Sequence, residues 1–199
     1  MFIYGASGYG KVVSEIAEAL GIVVDFFVDD NILLKNVWQI SVVNEIPKEL
    51  KQGVLAIGNN LDRKSLLEKI SNIEFLKLIH PKTNISDKVY IGNGTVIMPG
   101  VTINADCFIG AHVIINTNAS VDHDCKIDDF AHISPNVALS GGVQVGEGTH
   151  IGIGACVIPG IKIGKWVTIG AGSVIIRDVP DYAVVVGNPG RIIKNTSDE

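Results

Sequence analysis

Ile85, Ile91, Ile97, Ile103, Ile109, Ile115, Val121, Ile127, Ile133, Leu139, Val145, Ile151, Val157, Ile163, Ile169 and Ile175 stand six residues apart without a break. About a third of positions in an ordinary chain carry such side chains, so an unbroken run of sixteen is not an accident of composition. An α-helix repeats at 3.6 residues and a flat strand at two. A period of six fits short strands that turn a corner every six residues. Stacked coils of such strands form a parallel β-helix.

The corners carry matching chemistry. Asn93-Gly94, Pro99-Gly100, Gly141-Gly142, Glu147-Gly148, Pro159-Gly160 and Ala171-Gly172 fall two and three places after the aliphatics. Proline presets φ and glycine accepts φ > 0, as the centre of a type II turn requires. Four places after each aliphatic comes a small or β-branched residue, as at Val89, Thr95, Val101, Cys107, Val113, Ala119, Cys125, Ala131, Val137 and Val143. These share strand parity with the aliphatics and are expected to point inward with them. The pattern resembles the hexapeptide-repeat acyltransferases. That resemblance implies a left-handed β-helix with three six-residue faces, so that eighteen residues return the chain to one column.

Residues 1–80 read as an α/β unit. Phe2-Ile3-Tyr4 is expected as a strand, Lys11–Leu20 as an amphipathic helix, and Ile22–Val28 and Val54–Ile57 as further strands. A helix over about Leu61–Ser71 and a strand over Phe75–Ile79 follow. Alternation of this kind indicates a small parallel sheet. Gly5-x-x-Gly8-x-Gly10 joins the first strand to the first helix, where backbone amides can hold phosphate. Asp29-Asp30 stands about twenty residues on, where an acid meets a ribose hydroxyl. The spacing departs from G-x-G-x-x-G, and the unit is too short for two mononucleotide halves. A uridine-diphosphate sugar therefore fits better than NAD, while a tight turn without a ligand would use the same glycines. Residues 81–180 form the repeat, and 181–199 a tail expected to lie back along the prism.

Of five histidines, His123 stands out, flanked by Asp122 and Asp124 at an expected corner. A carboxylate bound to one ring nitrogen fixes the tautomer and raises the basicity of the other. A solvated corner would read the same. His132 lies nine residues on, half a coil, so it must leave the opposite side of the prism. If both histidines serve one site, that site lies between two chains. Gly141 falls one coil after His123, where a bare corner exposes backbone N–H groups. Ile153 and Ala171 share another corner column, along which a long ligand could run.

Tyr4-Gly-Ala-Ser-Gly-Tyr-Gly10, Ile57-Gly-Asn-Asn60, His123-Asp124, His132-Ile-Ser134 and Gly187-Asn-Pro189 together resemble the bacterial acetyltransferases acting on UDP-4-amino-4,6-dideoxy sugars. The resemblance implies a homotrimer with sites between subunits, acetyl-CoA as donor, a UDP-amino-sugar as acceptor and no metal. It makes His123 the general base, supported by Asp124. It places His132, Gly141, Ile153 and Ala171 along acetyl-CoA, and Ser7, Gly8, Tyr9, Asp29, Asp30 and Gly58 around the UDP-sugar. Asp124 stands where that family often has Glu, and Tyr9 where it often has His.

A net charge of −5 disfavours nucleic acid. No run is long enough to span a membrane, and the start shows no signal peptide, so a cytoplasmic protein is expected. Three cysteines read as reduced thiols. A sialic acid O-acetyltransferase or a GDP-perosamine-type N-acetyltransferase would share base and donor. A three-histidine zinc site would need a close pair on one chain, which the spacings from His112 lack. A bare repeat scaffold would need neither the glycine loop nor the His–Asp pair.

Overall fold

The computed structural model describes residues 1–196. The first unit is a six-stranded sheet of order β3-β4-β2-β1-β5-β6. Its strands are β1 (Phe2–Tyr4), β2 (Phe26–Val28), β3 (Asn36–Val37), β4 (Ile40–Val43), β5 (Gln52–Leu55) and β6 (Glu74–Phe75). Helix α1 (Gly8–Ala19) follows β1, and α2 (Asn60–Leu67) follows β5. Asn59 starts α2 by accepting from the Leu61 and Asp62 amides at 2.9 and 3.1 Å, which satisfies two orphan donors of the first turn.

Several expectations change at this level. Ile22–Asp25 is not strand. Gly21 ends α1 at φ +70°, and the Ile22 amide folds back onto the Ala17 carbonyl, so these residues lead the chain from helix to sheet. β3 and β4 form an antiparallel hairpin turning at Trp38, which sits at φ +54°. The expected strand Phe75–Ile79 divides: Phe75 ends the first sheet, whereas Leu78–Ile79 already pairs with Val96–Ile97. Helix α2 is four residues shorter than expected at its C-terminal end.

From Leu78 onward the chain is a parallel solenoid with three sheets. The first stacks Val96–Ile97, Ile114–Ile115, His132–Ile133, His150–Ile151 and Thr168–Ile169 in register. The second stacks strands from Asn84–Ile85 to Val174–Ile175, and the third those from Tyr90–Ile91 to Lys162–Ile163. Each coil takes eighteen residues. Every aliphatic of the six-residue series is buried except Ile85 and Ile91, which are half-buried in the first coil. The small residues four places on are buried as well, Val89 again excepted. Burying each such Val or Ile stabilises the coil by about 1.5–3 kcal/mol.

The corners hold a second periodic feature. Every sixth residue from 94 to 172 has positive φ, whether Gly94 and Gly100 or Asp106, His112, Asn118, Asp124, Phe130, Asn136 and Trp166. The tail does not run back along the prism. Ala183–Val186 extends the first sheet in parallel, and Arg191–Asn195 pairs antiparallel with it. The end of the solenoid is thereby capped.

Candidate active site

The loops at the carboxyl ends of β1, β2 and β5 converge, where open α/β sheets take their ligands. The glycines of the first loop divide by role. Added Cβ atoms would meet backbone oxygens at 2.5 Å from Gly5 and 2.0 Å from Gly10, so both serve close packing. A Cβ on Gly8 or Gly58 would meet nothing within 4 Å, which leaves those backbones open to a ligand. Ser7 is the N-cap of α1 yet makes no side-chain cap bond, so its hydroxyl and the first-turn amides are free for an anion. Asp29 holds the loop: one carboxylate oxygen accepts from the Ala6 amide at 2.8 Å and the other from Asn31 at 2.9 Å. Asp30 accepts the Tyr4 hydroxyl at 2.7 Å, and burial and Asp30 push that phenol above its ordinary range. Tyr9 turns inward. Its hydroxyl is buried without a partner.

The Gly58 backbone raises the basicity of His132, although His132 Nδ1 is buried and makes no hydrogen bond among the described residues. The Thr117 amide donates to Asn116 Oδ1 at 2.8 Å, which turns Asn116 Nδ2 toward His132 Nε2 at 3.2 Å. His132 Nε2 is therefore the acceptor, and its proton sits on Nδ1. Burial first, then His150 and Arg63, push His132 down to about 3. His150 stacks on it with ring centroids 4.8 Å apart and meets Ser134 Oγ at 2.8 Å.

His123 occupies the corner between the second and third sheets, opposite the first. It is exposed, and its Nδ1 meets Asp124 Oδ2 at 2.6 Å. Asp124 reaches the ring from a backbone at φ +59°. The Asp124 hydrogen bond, then the Asp122 charge, raise the basicity of His123. Asp122 is held by the Asn104 side chain at 2.7 Å and by the His123 amide at 2.8 Å. The imidazole lies over Gly141 one coil on: a Cβ there would come within 2.7 Å of His123 Cε1 and 2.8 Å of Nε2.

The sequence-derived residues thus form three groups on one chain. His123, Asp124 and Gly141 meet at one corner. Ile153 and Ala171 line the corner after the first sheet, both exposed and flanked by Gly154 and Gly172 with open space around them. His132 stands apart on the first sheet. One chain does not bring His123 to His132.

Sequence reasoning passed over Arg63, which is 1% exposed. Its Nε and Nη2 donate to the carbonyls of His112 and Phe130 at 3.0 and 2.6 Å, and its other bonds go to Ile57 O and Asn60 Oδ1. No signal in the sequence separates it from a solvated helix arginine. His112, weighed from sequence only as a metal ligand, is buried between Phe75 and Phe130, and burial pushes it down to about 4.

A three-faced hexapeptide solenoid with an α/β cap places the chain among the hexapeptide-repeat acyltransferases. Residues 1–70 match the PglD N-terminal domain, and 82–117 and 142–177 match the bacterial transferase hexapeptide (six repeats). A His-to-Asn variant of perosamine N-acetyltransferase from Caulobacter crescentus, solved with CoA and GDP-perosamine, is similar throughout. It shows 38% identity and a TM-score of 0.93, covering 98% of this chain and 96% of that one. The acetyltransferase domain of PglB from Neisseria gonorrhoeae FA1090, solved with acetyl coenzyme A, shows 38% identity and a TM-score of 0.89, covering 96% and 98%. WeeI from Acinetobacter baumannii AYE shows 27% identity and a TM-score of 0.77, with the same coverage. The chain belongs to the family of acetyl-CoA-dependent hexapeptide-repeat sugar N-acetyltransferases with a PglD-type N-terminal domain.

Proposed function

We propose that this protein transfers acetyl from acetyl-CoA to the 4-amino group of a nucleoside-diphosphate-linked 4-amino-4,6-dideoxy sugar. The observation that carries the reading is the His123–Asp124 pair. Asp124 accepts from Nδ1 at 2.6 Å, so the proton sits there and Nε2 is a free, exposed base. Nε2 takes a proton from the sugar amine as its nitrogen attacks the thioester carbon. The oxyanion forms against a backbone amide, for which we assign Gly141; its N–H has no acceptor among the described residues. As the intermediate collapses, the C–S bond breaks and the CoA thiolate takes the proton back from Nε2. Ile153 and Ala171 offer an exposed corner for the donor. Ser7, Gly8, Tyr9, Asp29, Asp30 and Gly58 form the acceptor side, where Tyr9 contributes backbone and packing and its buried hydroxyl does not reach out.

His123 and His132 lie on opposite sides of one prism, so the complete site is a cleft between neighbouring copies, and a cyclic trimer closes that arrangement. The sequence resemblance favours a UDP-linked acceptor. The GDP-perosamine bound by a relative 38% identical over 98% of this chain favours a GDP-linked one. A thiol-release assay with acetyl-CoA against UDP- and GDP-4-amino sugars and free sialic acid separates these. Turnover of an amino sugar and not of sialic acid is expected. Turnover of none would leave the scaffold reading.

A further inference from the structure

Helix α2 meets the solenoid along a ladder of corner carbonyls. Asn60 Nδ2 donates to Gly148 O at 3.0 Å, and Arg63 to Phe130 O and His112 O. These three carbonyls stand eighteen residues apart, one per coil. Residues three apart on a helix are neighbours at about 5–6 Å, which matches the ~4.8 Å rise between stacked strands. Lys64 adds an ion pair to Glu147 and lies over the Phe130 and Trp166 rings. The helix is thus keyed to the repeat itself.

Arg63 is unusual within this contact. All four of its hydrogen bonds go to neutral oxygens, and among the described residues no carboxylate pairs with it. Its positive charge is therefore uncompensated at the base of the ligand loops. One bond fixes the Ile57 carbonyl, next to the open backbone of Gly58. Its field also reaches Tyr9 of the glycine loop, and His112, His132 and His150 of the solenoid.

We propose that Arg63 is a positioning residue that locks the Ile57–Asn60 loop to the solenoid and, from behind that loop, supplies a buried positive charge for the acceptor's diphosphate. The charge role rests on the nucleotide-sugar reading above; the locking role does not. A protein of net charge −5 gains most from such a fixed cation when it must hold a diphosphate. The carbonyl cage keeps the guanidinium from an ion pair that would cancel its field.

Arg63→Met removes charge and hydrogen bonds, and Arg63→Lys keeps the charge alone. Binding of UDP, GDP and CoA to each is measured by calorimetry, with amide hydrogen exchange over residues 57–60. Nucleoside diphosphate binding is expected to weaken at least tenfold in Arg63→Met and no more than about threefold in Arg63→Lys, with CoA affinity unchanged in both. Exchange at 57–60 should rise in both. Equal weakening in the two variants would overturn the charge role, as would unchanged binding in Arg63→Met. A parallel loss of CoA binding would overturn it too, by making the effect global. Failure of the wild type to bind either nucleotide would refute the nucleotide-sugar reading and the charge role with it. The exchange data would still decide the lock: unaltered protection at 57–60 would overturn it.

Discussion

Gly141→Ala tests whether the orientation of His123, and not its mere presence, makes the site. The backbone at Gly141 is not in the left-handed region, so alanine suits it locally. The new methyl would stand 2.7 Å from His123 Cε1 and 2.8 Å from Nε2. Carbon contacts settle at about 3.5–4.0 Å, so the ring must retreat by about 1 Å. The ring is the exposed end of a flexible side chain, and rotation relieves the clash at little cost in stability. That rotation breaks the 2.6 Å contact with Asp124 and moves Nε2 off the attack line. A misplacement of ~1 Å at the reacting centre costs about 10²-fold. Gly142→Ala is the matched control. Its φ of +70° strains alanine, at about 1–2 kcal/mol, but a Cβ there comes no nearer than 3.9 Å to the next coil. Steady-state kinetics with thermal melts should show Gly141→Ala nearly as stable as wild type with kcat down ~10–10²-fold, and Gly142→Ala less stable but active. Full activity in Gly141→Ala would refute the oriented-base argument.

His123→Ala should lower kcat by about 10²–10⁴-fold without dissociating the assembly, read by kinetics and sedimentation. Asp124→Asn removes the main cause of the raised His123 basicity; the acidic limb of the kcat/KM profile should move to lower pH, with a lower plateau. His112 has a folded pKa near 4, below its ordinary value, so unfolding takes up protons between these pH values and stability falls as pH drops from 6.5 toward 4, by on the order of a few kcal/mol. His112→Phe, matching Phe130 one coil on, should reduce the fall of Tm over that range, and the depressed His132 should leave a remainder. Co-refolding His123→Ala with His132→Ala should restore activity to about a quarter of the sites in mixed oligomers, whereas a site within one chain would restore none.

The solenoid was legible because its physics is periodic. One residue in six must fill the same interior column, and that leaves a count that survives without coordinates. The corners were half legible. Seven of the fourteen between 94 and 172 carry glycine, but Phe130 and Trp166 take the same positive φ, against local preference. The stack imposes the bend, and for Trp166 the room comes from Gly148 one coil before it: a Cβ there would lie 2.4 Å from the Trp166 ring. The β3–β4 hairpin was not legible, since Trp38-Gln39 lacks the Asn-Gly or Asp-Gly signal of a tight turn. Arg63 was illegible for a different reason. Its burial is decided by carbonyls of residues 112 and 130, which no window around position 63 contains.

The same distinction explains where the site sits. A solenoid coil is rigid and its outward residues diverge, so no single chain can aim two of its faces at one point. Convergence has to come from something added: the α/β cap on this chain and, in the proposed mechanism, a neighbouring copy that brings its own His123 corner. The cap is fixed to the coils through Arg63 and Asn60, which ties the Ile57–Asn60 loop to the solenoid. In the proposed mechanism activity depends on assembly, because only a neighbouring copy can bring a second His123 corner to this cleft.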